Sequence, residues 1–180
     1  MRLFTGKGDQ GDTDLLGARV GKDDPRIDLI GELDETTSAI GLARAMAAAE
    51  SGQTWLIDVQ RDLYRIMAEL AFTDEIRPDS FSLGVDRIEW LETRTDELSA
   101  RIDLPREFVL PGGTPASGAM DLARAVSRRA ERAAVGLTNA GMIANPQIVR
   151  YLNRLSSLLF MLARAEDLEQ DQTPLRAKSR

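Results

Sequence analysis

Between residues 116 and 138 the apolar side chains Ala119, Leu122, Val126, Ala130, Ala133 and Leu137 recur at intervals of three and four. Wound at 100° per residue, they fall within a stripe about 80° wide, which predicts an amphipathic α-helix with one face to bury. Such a helix needs partners, and the rest of the chain offers them. Pro25 opens a segment in which Leu29, Ile30, Leu33 and Ile40 keep helical spacing into the alanine-rich "GLARAMAAAE". Gly52 is expected to punctuate it. A second helix is predicted over 54–71 on Leu56, Val59, Leu63, Ile66, Met67 and Leu70, and a third over 85–100 on Ile88, Leu91 and Leu98. Asn139 and Gly141 end the fourth. The last follows Asn145-Pro146, with Ile148, Tyr151, Leu152, Leu155, Leu158, Leu159 and Leu162 on its core face.

Five helices on short to moderate connections predict an all-α, up-and-down bundle. No period-2 alternation marks a strand, and there is no internal repeat. The 180 residues make one domain. It divides into a glycine-rich leader (1–24), the bundle (25–168) and a polar tail (169–180) expected to fray. Two further stretches are expected to be irregular: "TDEIRPDS", a polar and mobile connection, and "IDLPREFVLPGGTPASG", broken by two prolines and a Gly-Gly pair.

Composition narrows the chemistry. The net charge of −6 argues against general nucleic-acid binding. Cysteine and histidine are both absent, which removes disulfides, thiolate metal sites, a Cys nucleophile and any imidazole base. Catalysis must then rest on carboxylates, Arg, Lys, backbone amides or a bound cofactor. No apolar segment suggests a signal or a membrane span, so a cytoplasmic protein is expected.

Two elements stand out against this background. Arg124, Arg128 and Arg132 recur every fourth residue opposite the apolar stripe, with Glu131 beside them and Arg129 at the stripe's edge. A solvated charged face is one reading. Like charges at i,i+4 repel, however, so an acidic partner is the other, either carboxylates of a neighbouring helix or phosphates. The leader "TGKGDQGDT" is no P-loop, but its glycines allow close backbone approach and its N–H groups can form an anion-binding nest. Thr5, Lys7, Thr13 and Lys22 add donors, and Asp9, Asp12 and Asp14 suit Mg²⁺ or turn capping. On the last helix Arg150, Asn153, Ser157 and Arg164 share the face opposite the core with Phe160 and Met161, a mixture typical of a subunit interface. Asp34 and Glu35 edge the first helix's core stripe, either solvated or with one of them paired to a fourth-helix Arg.

Taken in order, "TGKGDQGDT", "KDDPR", "GELDE", "FVLPGG", "ARAVSRRAER" and "NRLSSLLFMLAR" resemble the PduO-type ATP:cob(I)alamin adenosyltransferases over nearly the whole chain. The resemblance implies a five-helix bundle forming a homotrimer with active sites between subunits. It also implies transfer of the adenosyl group of ATP to the cobalt of a reduced corrinoid, with release of triphosphate. By the same resemblance Thr5, Gly6, Lys7, Gly8, Thr13, Asp14 and Lys22 belong to the loop over the ATP phosphates. Arg128, Glu131, Arg132 and Asn153 match nucleotide-binding positions, with Glu131 near Mg²⁺. Arg124 and Asp34 match a pair that bridges subunits, and Phe108 matches the aromatic that closes the corrin's lower face. A reductase and a cobalamin-dependent acceptor enzyme are the implied transient partners. Relatives often read "DELNS", "NRLSD" and "LARYAN" where this chain reads "DETTS", "NRLSS" and "LARAED", and they commonly carry Thr where Asp12 stands. A noncatalytic ATP- or corrinoid-delivery relative on the same fold, and a bundle used only for protein contacts, are the other readings. A ferritin-like di-metal bundle is excluded, since Glu-x-x-His requires histidine.

Overall fold

The computed structural model describes residues 5–73, 76–104 and 107–178. Residues 1–4, 74–75, 105–106 and 179–180 lie outside them, the two inner pairs falling within "TDEIRPDS" and "IDLPREFVLPGGTPASG". Five helices run in order: α1 (Pro25–Met46), α2 (Glu50–Ala71), α3 (Val85–Ser99), α4 (Pro115–Asn139) and α5 (Gln147–Glu169). A single 3₁₀ turn, Asp79–Phe81, precedes α3.

Local chemistry fixes the helix ends. Asp24 caps α1, its carboxylate accepting from Arg26 N–H at 2.8 Å, and Pro25 occupies the first turn, where an N–H would be orphaned. Thr114 and Ser117 form a reciprocal capping box on α4. At α5 the Asn145 side chain accepts from Gln147 N–H at 3.0 Å. The start of α2 departs from expectation. The helix begins at Glu50 and runs through Gly52, because the buried Glu166 carboxylate on α5 takes up the N–H groups of Ala48 (3.0 Å) and Ala49 (3.5 Å). A Cβ on Gly52 would meet Leu162 at 3.7 Å, so this glycine marks an ordinary helix–helix approach.

α4 is the central element, packed on α1 along one side and α5 along another, while α1 also packs on α2 and α5 on α3. Two flanking partners explain why α4 buries Met120, Ala123 and Ala134 besides the expected Ala119, Val126, Ala130 and Leu137. Leu122, read as part of the stripe, instead lies 53% exposed. Leu29, Leu33, Ile40, Leu56, Leu63, Ile66, Ile88, Leu91, Tyr151 and Leu152 complete a fully buried core. Among the described residues no helix is long and apolar enough to cross a membrane.

The core also holds ions. Asp62 on α2 accepts a fork from Arg87 on α3 (Nε 2.9 Å, Nη2 2.8 Å) and the Tyr151 hydroxyl of α5 at 2.9 Å, joining three helices at one carboxylate. Burial, reinforced by the charge of Asp62, pushes the Tyr151 hydroxyl well above the ordinary phenol range. A raised folded-state pKa contributes stability that is complete below the unfolded value of about 10 and is lost as pH climbs beyond it. Tyr151→Phe is therefore expected to flatten the alkaline fall in melting temperature between about pH 9 and about pH 11. An unchanged slope would contradict the burial argument.

The leader is not wholly irregular. Residues Asp12–Leu15 (β1) and Ala18–Gly21 (β2) pair antiparallel, with Thr13 opposite Val20. Each strand is only four residues long, and the aspartates are poor strand formers, so the pattern is too weak to see in sequence. Gly17 turns the hairpin at φ +103°, and a Cβ there would come within 2.8 Å of Thr73 and Ile76. Leu16 fastens the turn to the end of α2, its N–H donating to Ala71 O at 2.8 Å and its carbonyl accepting from Thr73 N–H at 3.0 Å.

Part of the tail, expected to fray, is held by backbone hydrogen bonds among the described residues. Leu110 N–H donates to Leu175 O at 2.7 Å and Ala177 N–H to Phe108 O at 2.8 Å, so the tail pairs with the "FVLPGG" loop.

Candidate active site

α4, α5, α3 and the Phe108 loop enclose a cavity of about 590 Å³. Its apolar wall is Phe108, Val109, Pro111, Phe160 and Met161; its polar wall is Arg124, Arg128, Arg164, Asp121, Glu107 and the hydroxyls of Thr95, Ser156 and Ser157. Phe108 is 90% exposed although it lines this space. A phenyl ring left in water by its own chain is a surface for another molecule to cover. Phe160, Met161 and Arg164, expected opposite the core, are cavity wall: Met161 and Arg164 are each only 3% exposed. The fifth helix has two buried faces because it packs on both α4 and α3.

Beyond the cavity along α4, the expected nucleotide residues meet. Asn153 Nδ2 donates to Glu131 Oε1 at 2.8 Å, and Arg128 Nη1 lies 4.0 Å from Glu131 Oε2. Arg132 Nη1 donates to Arg128 O at 3.2 Å, which sets the two arginines side by side. Sequence reasoning missed two supports. Arg154 donates from Nη1 to Asn153 Oδ1 at 2.6 Å and from Nε to Glu92 on α3 at 2.8 Å. This fixes which way the Asn153 amide faces. The anomaly of an arginine directly after a candidate ligand was the available signal.

The leader supplies the remaining expected residues in one place. Gly6 adopts φ +73°, Lys7 N–H donates to Thr5 Oγ1 at 3.4 Å, and Gly8 and Gly11 are joined by a backbone turn. The Lys22 ammonium lies 3.2 Å from where a Gly8 Cβ would stand. Asp14 is engaged by Arg19 Nη1 at 2.8 Å, while Arg19 Nη2 donates to Lys7 O at 2.7 Å, so this carboxylate shapes the leader.

Within the chain Asp34 and Arg124 are not joined. Asp34 is exposed on α1, and Arg124 Nε donates to Asp121 Oδ1 on its own helix at 3.0 Å. The α1–α4 ion pairs are instead those of Arg129 with Glu32 and Glu35.

An arginine-lined cavity with one aromatic wall, continuous with an Arg–Glu–Asn cluster on the same helices, defines a helical-bundle protein built for an anionic ligand beside a large apolar one. The cobalamin adenosyltransferase family model matches residues 3–166, and the chain belongs to that family. Its relatives include the corrinoid adenosyltransferase of Bacillus subtilis, 38% identical over 91% of this chain and 86% of that one. The corrinoid adenosyltransferase PduO of Salmonella typhimurium is 37% identical over 96% of this chain, which spans only 52% of its length. A variant PduO-type ATP:corrinoid adenosyltransferase from Lactobacillus reuteri, solved with cobalamin and ATP, superposes with a TM-score of 0.90 at 28% identity, covering 99% of this chain and all of that one.

Proposed function

We propose that the chain transfers the 5′-deoxyadenosyl group of ATP to the cobalt of cob(I)alamin or a related corrinoid and releases triphosphate. The observation that carries this reading is the continuity of the Phe108 cavity with the Arg128–Glu131–Asn153 cluster along α4 and α5. The cobalt(I) lone pair attacks C5′ of the ribose, the C5′–O bond breaks, and its electrons leave on the triphosphate. So strong a nucleophile needs no side-chain base, which suits a chain without histidine or cysteine.

Each residue then has a role. Arg128 and Arg132 face the leaving phosphates, where a planar fork stabilises charge as it develops. Asn153 and Glu131 orient the nucleotide, and the leader 1–24, with Thr5, Gly6, Lys7, Gly8, Thr13, Asp14 and Lys22, closes over the phosphates. Glu131 is the carboxylate of this cluster, with Oε1 accepting from Asn153 and Oε2 4.0 Å from Arg128, and it is the residue that would hold Mg²⁺. One carboxylate with substrate phosphates completing the shell is how Mg²⁺ is commonly bound, and it would neutralise phosphate charge there. Phe108 fills the space below the corrin, keeps water and ligands from the lower face, and so favours reduction of Co(II) by an external reductase.

The assembly we infer is a homotrimer acting in the cytoplasm, with each site at a seam between copies. Two features suit a site shared between copies: the leader is anchored to α2 of its own chain, and Asp34 and Arg124 each lack the other within it. The test is formation of adenosylcobalamin from ATP, Mg²⁺ and chemically reduced cobalamin. Binding of both substrates without product would favour a delivery module. When Co(II) and an external reductase replace the chemically reduced cobalamin, Phe108→Ala is expected to be slowed more than about tenfold beyond any loss with preformed Co(I), a gap of ~1.4 kcal/mol in barrier. Equal losses would discard the wedge.

A further inference from the structure

Beneath the cavity lies a chain of buried charges that the reaction as proposed does not use. Asp121 on α4 is 4% exposed, and each of its oxygens holds a different arginine. Oδ1 accepts from Arg124 Nε at 3.0 Å, and Oδ2 from Arg164 Nη2 at 2.9 Å. Arg164 is in turn fixed by Asp167, whose Oδ2 lies 3.0 Å from Nη2, and by the Phe160 ring 5.3 Å from its guanidinium carbon. Asp167 presses on the loop before α4, where a Cβ on Gly113 would stand 2.9 Å from its Cγ. The line therefore runs from the end of the Phe108 loop through α5 to Arg124.

As a fold-stabilising device this arrangement is poor. Arg164 Nε and Nη1 and both Asp167 oxygens are buried without a well-formed hydrogen bond. Buried ion pairs gain little over apolar packing once desolvation is counted. Its geometric effect is clear. By taking Nε alone, Asp121 pins the Arg124 guanidinium by its inner edge and leaves both Nη groups, which have no partner among the described residues, for an acceptor outside the chain. Arg124 keeps 30% of its side chain exposed at the cavity wall.

We propose that Asp121, locked by Arg164, is the positioning residue for Arg124, and that this buried pair sets the orientation in which Arg124 serves the site. The inference rests on the reading of Arg124 as a site residue. Asp121→Asn keeps the shape and leaves Arg164 paired to Asp167, so the chain is expected to fold. With preformed Co(I), Asp121→Asn and Arg124→Gln should each lower kcat about tenfold, and the double variant should fall no further than either single change. The KM for ATP should stay within about twofold, because Arg124 lies on the cavity side rather than in the Glu131–Asn153 cluster. Should Asp121→Asn fold poorly by thermal melting, Arg164→Lys replaces it: the charge remains, the shorter side chain withdraws it from the point where Nη2 meets both Asp121 and Asp167, and the kcat loss should vanish in the Arg124→Gln background. Additive losses in either pair, or Asp121→Asn and Arg164→Lys both with undiminished kcat, would overturn the positioning role alone. Undiminished kcat in Arg124→Gln itself would overturn the reading of Arg124 and the proposal with it.

Discussion

Arg128→Ala is expected to lower kcat with preformed Co(I) by about 10²–10³-fold, the usual cost of removing one preorganised donor from developing charge. Arg128 lies between the cavity and the Glu131–Asn153 cluster, its Nη1 4.0 Å from Glu131, and half of its side chain is open to a ligand. Arg128→Lys separates charge from geometry. It keeps the cation but loses the planar fork that grips two phosphate oxygens, so it should recover only part of the loss and remain about tenfold below the parent. Using preformed Co(I) confines the measurement to group transfer. Parental turnover in both variants would remove Arg128 from the leaving-group side of the reaction.

The second large effect is on stability. Asp62→Ala should cost about 3 kcal/mol, which for a domain of this size is a fall of roughly 6–12 °C in melting temperature. The substitution strands two groups at once: the Arg87 guanidinium, only 20% exposed, and the fully buried Tyr151 hydroxyl. Asp62→Asn, which keeps the one oxygen shared by Arg87 Nη2 and Tyr151 but sets an NH₂ against Arg87 Nε, should lose less. Urea unfolding of both variants decides it, and a cost below about 1 kcal/mol for Asp62→Ala would mean that water replaces the carboxylate.

These two residues also show what the sequence could and could not reveal. The row of arginines on α4 was visible because like charges at i,i+4 have no local excuse, and Asn153 and Glu131 were found by motif. The helices were visible because an apolar stripe has a period. Asp62, Asp121 and Asp167 were not visible, since a charged residue at a core phase reads as a break in the stripe until its partner on another helix is known, and Arg164 was seen only as part of a subunit-facing surface. Arg164 illustrates the difficulty: its partners are Asp121, 43 residues away, and Asp167, one turn on. The β1–β2 hairpin was missed because its support is tertiary. Leu16 pairs with the end of α2, and two four-residue strands, one of them half aspartate, carry no periodic signal. The tail was misjudged for the same reason, since its bonds run from backbone to backbone and any sequence of suitable length could make them.

The anchoring of the leader through Leu16 has a genetic corollary. Where the catalytic pocket straddles a seam as proposed, a molecule with a ruined phosphate loop still lends an intact arginine helix to its neighbour, and the reverse holds for a molecule with a ruined helix. Two dead alleles of these opposite kinds would then complement one another in mixed assemblies. About a quarter of the pockets in a random one-to-one mixture would be whole.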